Sequence, residues 1–213
     1  MIKIDRLPKP RILQRKADKW RDKLLAAATD AERLRLQEKY RHTKIKQTLV
    51  EMFNGKCAYC ESKITHIDYG HIEHYRPKSG SNGRPDLTFE WTNLLLACGV
   101  CNGGEYKSDH FPEADDDGPI VNPCEDDPSQ HFTFHFDPVA KLASVYGVTS
   151  RGVRTEQLLG INRPELRSYR SVRIRYLMAL SRFANSDTEA AELLKLARQS
   201  DAAYAAFARI LFR

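Results

Sequence analysis

Apolar positions recur at helical spacing at both ends of the chain and lose that spacing in the middle. Near the start, Pro8 and Pro10 favour an extended lead-in, after which Trp20, Leu24, Leu25 and Ala28 predict a helix. A second helix is predicted from Thr29, a capping residue with Glu32 three positions on. It runs through Leu34, Tyr40, Ile45, Leu49, Val50 and Phe53 to a stop at Asn54-Gly55. From Cys57 to Pro112 the helical period disappears, and Gly, Pro, Asn and His become dense among short β-prone stretches such as Lys63-Ile64-Thr65-His66-Ile67. An acidic run, Glu113-Ala114-Asp115-Asp116-Asp117, precedes Phe132-Thr133-Phe134-His135-Phe136 and Ala143-Ser144-Val145-Tyr146, which together predict a hairpin. Helical patterning then returns near Thr155 to Leu159, from Pro164 to about Phe183, and from Asp187 onward. Leu177, Leu180, Leu193, Leu194, Leu196, Phe207, Ile210 and Leu211 read there as buried stripes. The expected organisation is α+β in four segments: 1–54 helical, 55–112 a small β-containing core, 113–150 a connecting segment with a hairpin, and 151–213 helical.

At 213 residues the chain is long enough to bury a hydrophobic core without disulfides. No run approaches the roughly 18 apolar residues of a membrane span. The opening Met1-Ile2-Lys3-Ile4-Asp5-Arg6 lacks the apolar stretch of a secretory signal, so the expected address is the cytoplasm, with no membrane partner. A net charge of +6 and a pI near 9.1 favour a polyanionic partner, because Lys and Arg that neutralise phosphates release condensed counterions.

Five cysteines in a reducing compartment are better read as metal ligands than as bridges. Four of them form two Cys-x-x-Cys pairs, Cys57-Ala58-Tyr59-Cys60 and Cys98-Gly99-Val100-Cys101, and four thiolates make a closed, structural zinc site. Cys124 is left over as a packed thiol. Between and after the pairs stand Ile72-Glu73-His74-Tyr75-Arg76-Pro77, Asn93-Leu94, Asn102 directly after Cys101, and Lys107.

In this order the residues resemble the zinc-bearing branch of the HNH endonuclease family, across 57 to 107. The resemblance implies a ββα-metal module, with a strand carrying the acidic-His pair and a short helix after the last cysteine. It implies that His74 is the general base, that Glu73 and Asn102 hold a divalent cation, magnesium or manganese, and that Asn93 orients the loop bearing the base. Glu73 stands where the family more often has Asp. The chemistry gives a separate reason for these types: in-line attack on a phosphodiester needs a base for water and a cation for the developing negative charge. Oxygen ligands suit a hard ion, and thiolates take the zinc. Arg76, Lys78 and Lys107 are candidates for phosphate contact, and His71 for a supporting partner or an accessory ligand.

Two other readings use the same residues. A zinc-dependent deaminase would take His71, Glu73, Cys98 and Cys101, but it leaves Cys57 and Cys60 without work and has Ala97 where a Pro is expected. A non-catalytic four-cysteine module would merely present a basic surface to nucleic acid or a protein.

Beyond the core, Asn122-Pro123, Asp127-Pro128, His131-Phe132 and Leu159-Gly160-Ile161-Asn162-Arg163 resemble a narrower group, the HNH proteins of retron and Septu-type anti-phage systems. That resemblance implies a nuclease effector working beside an ATPase of the ABC and SMC type. In retron versions it also implies a reverse transcriptase with its RNA-linked DNA. DNA is the first expected substrate and RNA the other candidate, and the helical flanks are expected to be docking surfaces. The isolated chain is expected to be weakly active or restrained.

Overall fold

The computed structural model describes residues 1–212. Contacts divide the chain into two compact units, one of residues 4–58 and 64–111, the other of residues 1–3, 59–63 and 112–213. The expected segments 1–54 and 55–112 therefore largely share one unit, and 113–150 and 151–213 share the other. The N-terminal segment does not stand apart because its lead-in is tied to the core. Arg6 donates to the carbonyls of Trp91 (2.7 Å), Thr92 (2.8 Å) and Leu94 (3.0 Å), and Trp91 Nε1 donates to the Leu7 carbonyl at 2.8 Å.

In this site-bearing unit, α1 (Arg11–Leu25) starts directly after Pro10 and buries Leu13, Ala17 and Leu24. Trp20 meets Phe89 edge-on at 5.5 Å between ring centroids. The single helix predicted from Thr29 to Phe53 is instead broken. α2 (Asp30–Gln37) is capped by Thr29, whose hydroxyl accepts from Glu32 N at 3.2 Å. A 3₁₀ turn over Glu38–Arg41 follows, and α3 (Thr43–Met52) is capped by the His42 ring, which accepts from Lys44 N. The break turns Tyr40 inward, where it is 6% exposed, while α3 keeps its own stripe of Ile45, Leu49 and Met52. The predicted stop holds: Asn54 and Gly55 adopt φ of 52° and 65°, and Gly55 N reaches back to the Val50 carbonyl at 2.8 Å, as at a helix C-terminus.

The unit's sheet is small. β1 (His71–His74) pairs antiparallel with β2 (Leu94–Ala97), His71 opposite Ala97 and His74 opposite Leu94. β2 is wholly buried, hence its unbroken apolar run rather than an alternation. The β-prone Lys63–Ile67 stretch forms only an isolated bridge at Lys63 and turns. The short helix expected after Cys101 is a series of turns. Asn102 N bonds the Cys98 carbonyl as one helical turn would, but Gly103 and Gly104 follow, and neither favours continuation.

The second unit is built on the predicted hairpin, β3 (Phe132–Asp137) against β4 (Leu142–Gly147). Around it lie α4 (Ser150–Leu158), α5 (Pro164–Ser181), α6 (Thr188–Ala197) and α7 (Ala205–Leu211). The Leu159–Arg163 motif has a structural job: the Asn162 side chain bonds both the N–H (3.0 Å) and the carbonyl (2.6 Å) of Val145, acting as one more strand residue at the hairpin edge. Arg170, 1% exposed, donates to the carbonyls of Ala143 and Ile161 and to Asn162 Oδ1. Burial pulls its pKa down to about 10. Of the expected stripes, Leu177, Leu194 and Phe207 are buried, whereas Leu193 and Leu196 are 42% and 51% exposed.

Candidate active site and metal centre

The first Cys-x-x-Cys is brought beside the sheet when Ala58 N donates to the Leu96 carbonyl at 2.7 Å, and the second begins where β2 ends. The Sγ atoms of Cys57, Cys60, Cys98 and Cys101 all lie within 4.8 Å of one another. A tetrahedral zinc with bonds of about 2.3 Å needs sulfurs roughly 3.8 Å apart, so small side-chain adjustments complete the shell. Cys101 N points at Cys98 Sγ at 3.4 Å, a contact that favours the thiolate. Four soft donors with no carboxylate fit zinc. The deaminase reading falls here, because Cys98 and Cys101 join Cys57 and Cys60 while His71 stands outside the cluster. Cys124 is half-buried and also outside it.

β1 carries the remaining chemistry to a cleft of about 660 Å³ lined by Glu73, His74 and Asn102, with Tyr40, Arg41, Lys46, His71 and Lys78. His74 is 6% exposed, and its Nε2 lies 3.0 Å from the Thr88 carbonyl. A carbonyl only accepts, so Nε2 bears the proton and Nδ1 keeps a lone pair. Burial above all, with Lys78 and Lys107 adding repulsion, holds the imidazole pKa down to about 3. The ring is therefore neutral at physiological pH, the form in which an imidazole takes up a proton.

Asn93 occupies the position just before β2. The register sets it opposite Tyr75, whose N–H donates to the Asn93 carbonyl at 2.9 Å. Its side chain then continues the ladder by accepting from Arg76 N (2.7 Å) and donating to the carbonyls of Arg76 (3.0 Å) and Leu87 (3.3 Å). A short amide with one donor end and one acceptor end suits that double contact.

Lys107 is placed differently from its expectation as a phosphate contact. It is wholly buried, its Nζ donates to the His74 carbonyl at 2.9 Å, and it forms an ion pair with Glu73. It braces the two residues from behind the cleft. Arg76 stacks over Phe111 at 4.5 Å, so of the three singled-out cations it is Lys78 that faces the cleft. Sequence reasoning did not single out Thr88, the acceptor for His74, or Tyr40, which meets the His74 ring edge-on at 4.6 Å. Thr88 lies in no motif, and Tyr40 reads in the sequence only as an apolar helix position.

The family model for HNH endonuclease matches residues 57–108, so the chain contains an HNH endonuclease domain. A Septu protein PtuB of Bacillus mycoides (strain KBAB4) is 33% identical over 157 residues, covering 63% of this chain and 52% of that protein. A Septu protein PtuA of the same strain is 29% identical over 167 residues, 67% of this chain and 21% of that protein. A retron Vc95 protein of Vibrio cholerae serotype O1 biovar El Tor, described as an HNH endonuclease, is 29% identical over 132 residues, 57% of this chain and 59% of that protein. The chain spans about half the length of its PtuB relative. Among the described residues no helix is long and apolar enough to cross a membrane.

Proposed function

We propose that this chain is a metal-dependent endonuclease that hydrolyses phosphodiester bonds in nucleic acid, DNA first, as the effector of an anti-phage defence system. The observation that carries the reading is His74: a buried, neutral imidazole, its Nε2–H fixed on the Thr88 carbonyl, on the wall of a cleft that Glu73 and Asn102 share. In the proposed step Nδ1 accepts a proton from the attacking water, the water oxygen bonds to phosphorus, and the bond to the leaving oxygen breaks. Glu73 and Asn102 would hold a divalent cation, magnesium or manganese. When bound it supplies positive charge to the phosphate and the leaving oxygen. Lys107 keeps Glu73 oriented and pins the backbone of His74, and Asn93 holds the chain just beyond it. Lys78 adds positive charge where the phosphate would sit.

The names of the relatives support a partnered effector. The partner proposed is an ATPase of the ABC and SMC type and, in a retron setting, a reverse transcriptase with its RNA-linked DNA. On α5, Tyr169, Val172 and Tyr176 stand exposed on one face, an apolar strip of the kind a protein partner covers. The setting proposed is the cytoplasm.

The test is cleavage of duplex DNA, single-stranded DNA and RNA in magnesium, with and without an ATPase of the ABC and SMC type. His74→Ala should keep its fold and zinc yet lose activity by about 10²–10⁴-fold. Magnesium-dependent cutting that survives His74→Ala would overturn the reading. Vigorous digestion of all three substrates by the chain alone would overturn the partnered part of it.

A further inference from the structure

We propose that Lys16, Lys19 and Lys23 on α1, with Arg35 on α2 and Lys39 in the turn after it, form a track that binds the phosphate backbone of a nucleic-acid duplex leading out of the cleft. The inference rests on the reading of that cleft as a nuclease site, and it gives the N-terminal helices a substrate to hold. Lys16, Lys19 and Lys23 are spaced three and four apart, so they share one face of α1. The acidic residues of α1, Asp18 and Asp22, are engaged elsewhere, each paired with Arg21, at 2.9 and 3.1 Å. Trp20 stands beside the lysine face, and Lys39 Nζ lies 5.9 Å from the centre of its ring, which joins the turn after α2 to the same surface.

These charges crowd one another. Burial first, and then Lys23, Arg35, Lys16 and Lys19, lower the pKa of Lys39 from its ordinary value. Among the described residues none of the five takes part in an ion pair, while the neighbouring Arg33 and Arg41 are paired with Asp30 and Glu38. Like charges gathered without counter-charges destabilise the free protein and are relieved by a polyanion. The group also points at the chemistry. Lys39 is followed by Tyr40, which touches His74, and by Arg41, and both line the cleft with Lys78. From Lys16 to Lys23 the helix rises roughly 10 Å. Duplex DNA presents about three phosphates per strand over that length, one for each lysine.

The test uses the full chain in a His74→Ala background, so that binding is read without cutting. The variant Lys16→Glu/Lys19→Glu/Lys23→Glu is compared with Arg173→Glu/Arg175→Glu/Lys195→Glu, which changes net charge equally on exposed residues of the other unit. Zinc content and circular dichroism establish that each is folded. Affinity is measured across a salt series for a labelled DNA duplex long enough to run from the cleft across α1, and for a short one that fills the cleft alone. The track predicts that the α1 variant loses at least about ten-fold in affinity for the long duplex near physiological salt, with a salt slope shallower by about 3. It also predicts a much smaller loss on the short duplex and a retained slope in the comparison variant. Unchanged binding, an equal loss in both variants, or an equal loss on both duplexes would overturn it. Failure of the nuclease reading shows separately, as cutting that His74→Ala does not abolish.

Discussion

At Lys107 the length of the side chain matters as much as its charge. Only a long, slender ammonium reaches both Glu73 and the His74 carbonyl from a wholly buried position. Lys107→Met leaves the Glu73 carboxylate without that ammonium, at a cost on the order of 3–5 kcal/mol. Adding Glu73→Gln removes the charge left behind, so the double variant should be less destabilised than the two single effects added together. Denaturant unfolding of the four proteins checks this, and strict additivity would refute it. Asn93→Ala strips the hydrogen bonds that hold Arg76 and should lower stability by roughly 2 kcal/mol. That is a drop in melting temperature of roughly 4–8 °C for a chain of this size. The cysteine cluster was legible because coordination of one ion demands paired thiols at fixed spacing. Lys107 was misread because a lysine in sequence looks like a surface cation, and only long-range packing buries it. The parts of Thr88 and Tyr40 are settled by the same packing, so nothing local announces them.

At the scale of elements, short-range chemistry was the readable part. Thr29 caps α2, Asn54-Gly55 ends α3, and the hairpin falls between Phe132 and Gly147. The break between α2 and α3 was hidden because no Gly or Pro stands between Thr29 and Phe53 to signal it. Thr29→Ala should cost about 1 kcal/mol, the usual worth of such a cap. Gly152→Ala should cost more. A Cβ there would lie 2.2 Å from the His131 carbonyl oxygen, and one at Gly147 would lie 2.1 Å from Val153 N, so β4 and α4 meet backbone to backbone where no methyl fits. Such overpacking costs roughly 1–3 kcal/mol or more. A Gly152→Ala variant that melts with the parent would show that the contact yields to a methyl group.

At the scale of the whole molecule, four cysteines far apart in sequence meet in one cluster whose donor set fits zinc. The β1–β2 sheet is small, and a metal on the four thiolates would add a cross-link between segments some forty residues apart in sequence. Elemental analysis of the purified chain should find one zinc, and a strong chelator, or Cys98→Ser, should remove it together with much of the structure of residues 64–111. Metal loss with an unchanged circular dichroism spectrum would contradict that. The division into two units was not readable from the sequence, because composition drew a boundary near residue 54 and the contacts of Arg6 and Trp91 erase it. Both tryptophans, Trp20 against Phe89 and Trp91 bonded to Leu7, lie in the unit that bears the cleft, while the hairpin unit has none. The chain therefore carries a built-in regional reporter. Light absorbed selectively by indole is emitted from that unit alone, so a red shift on chelation would report its loosening without any label.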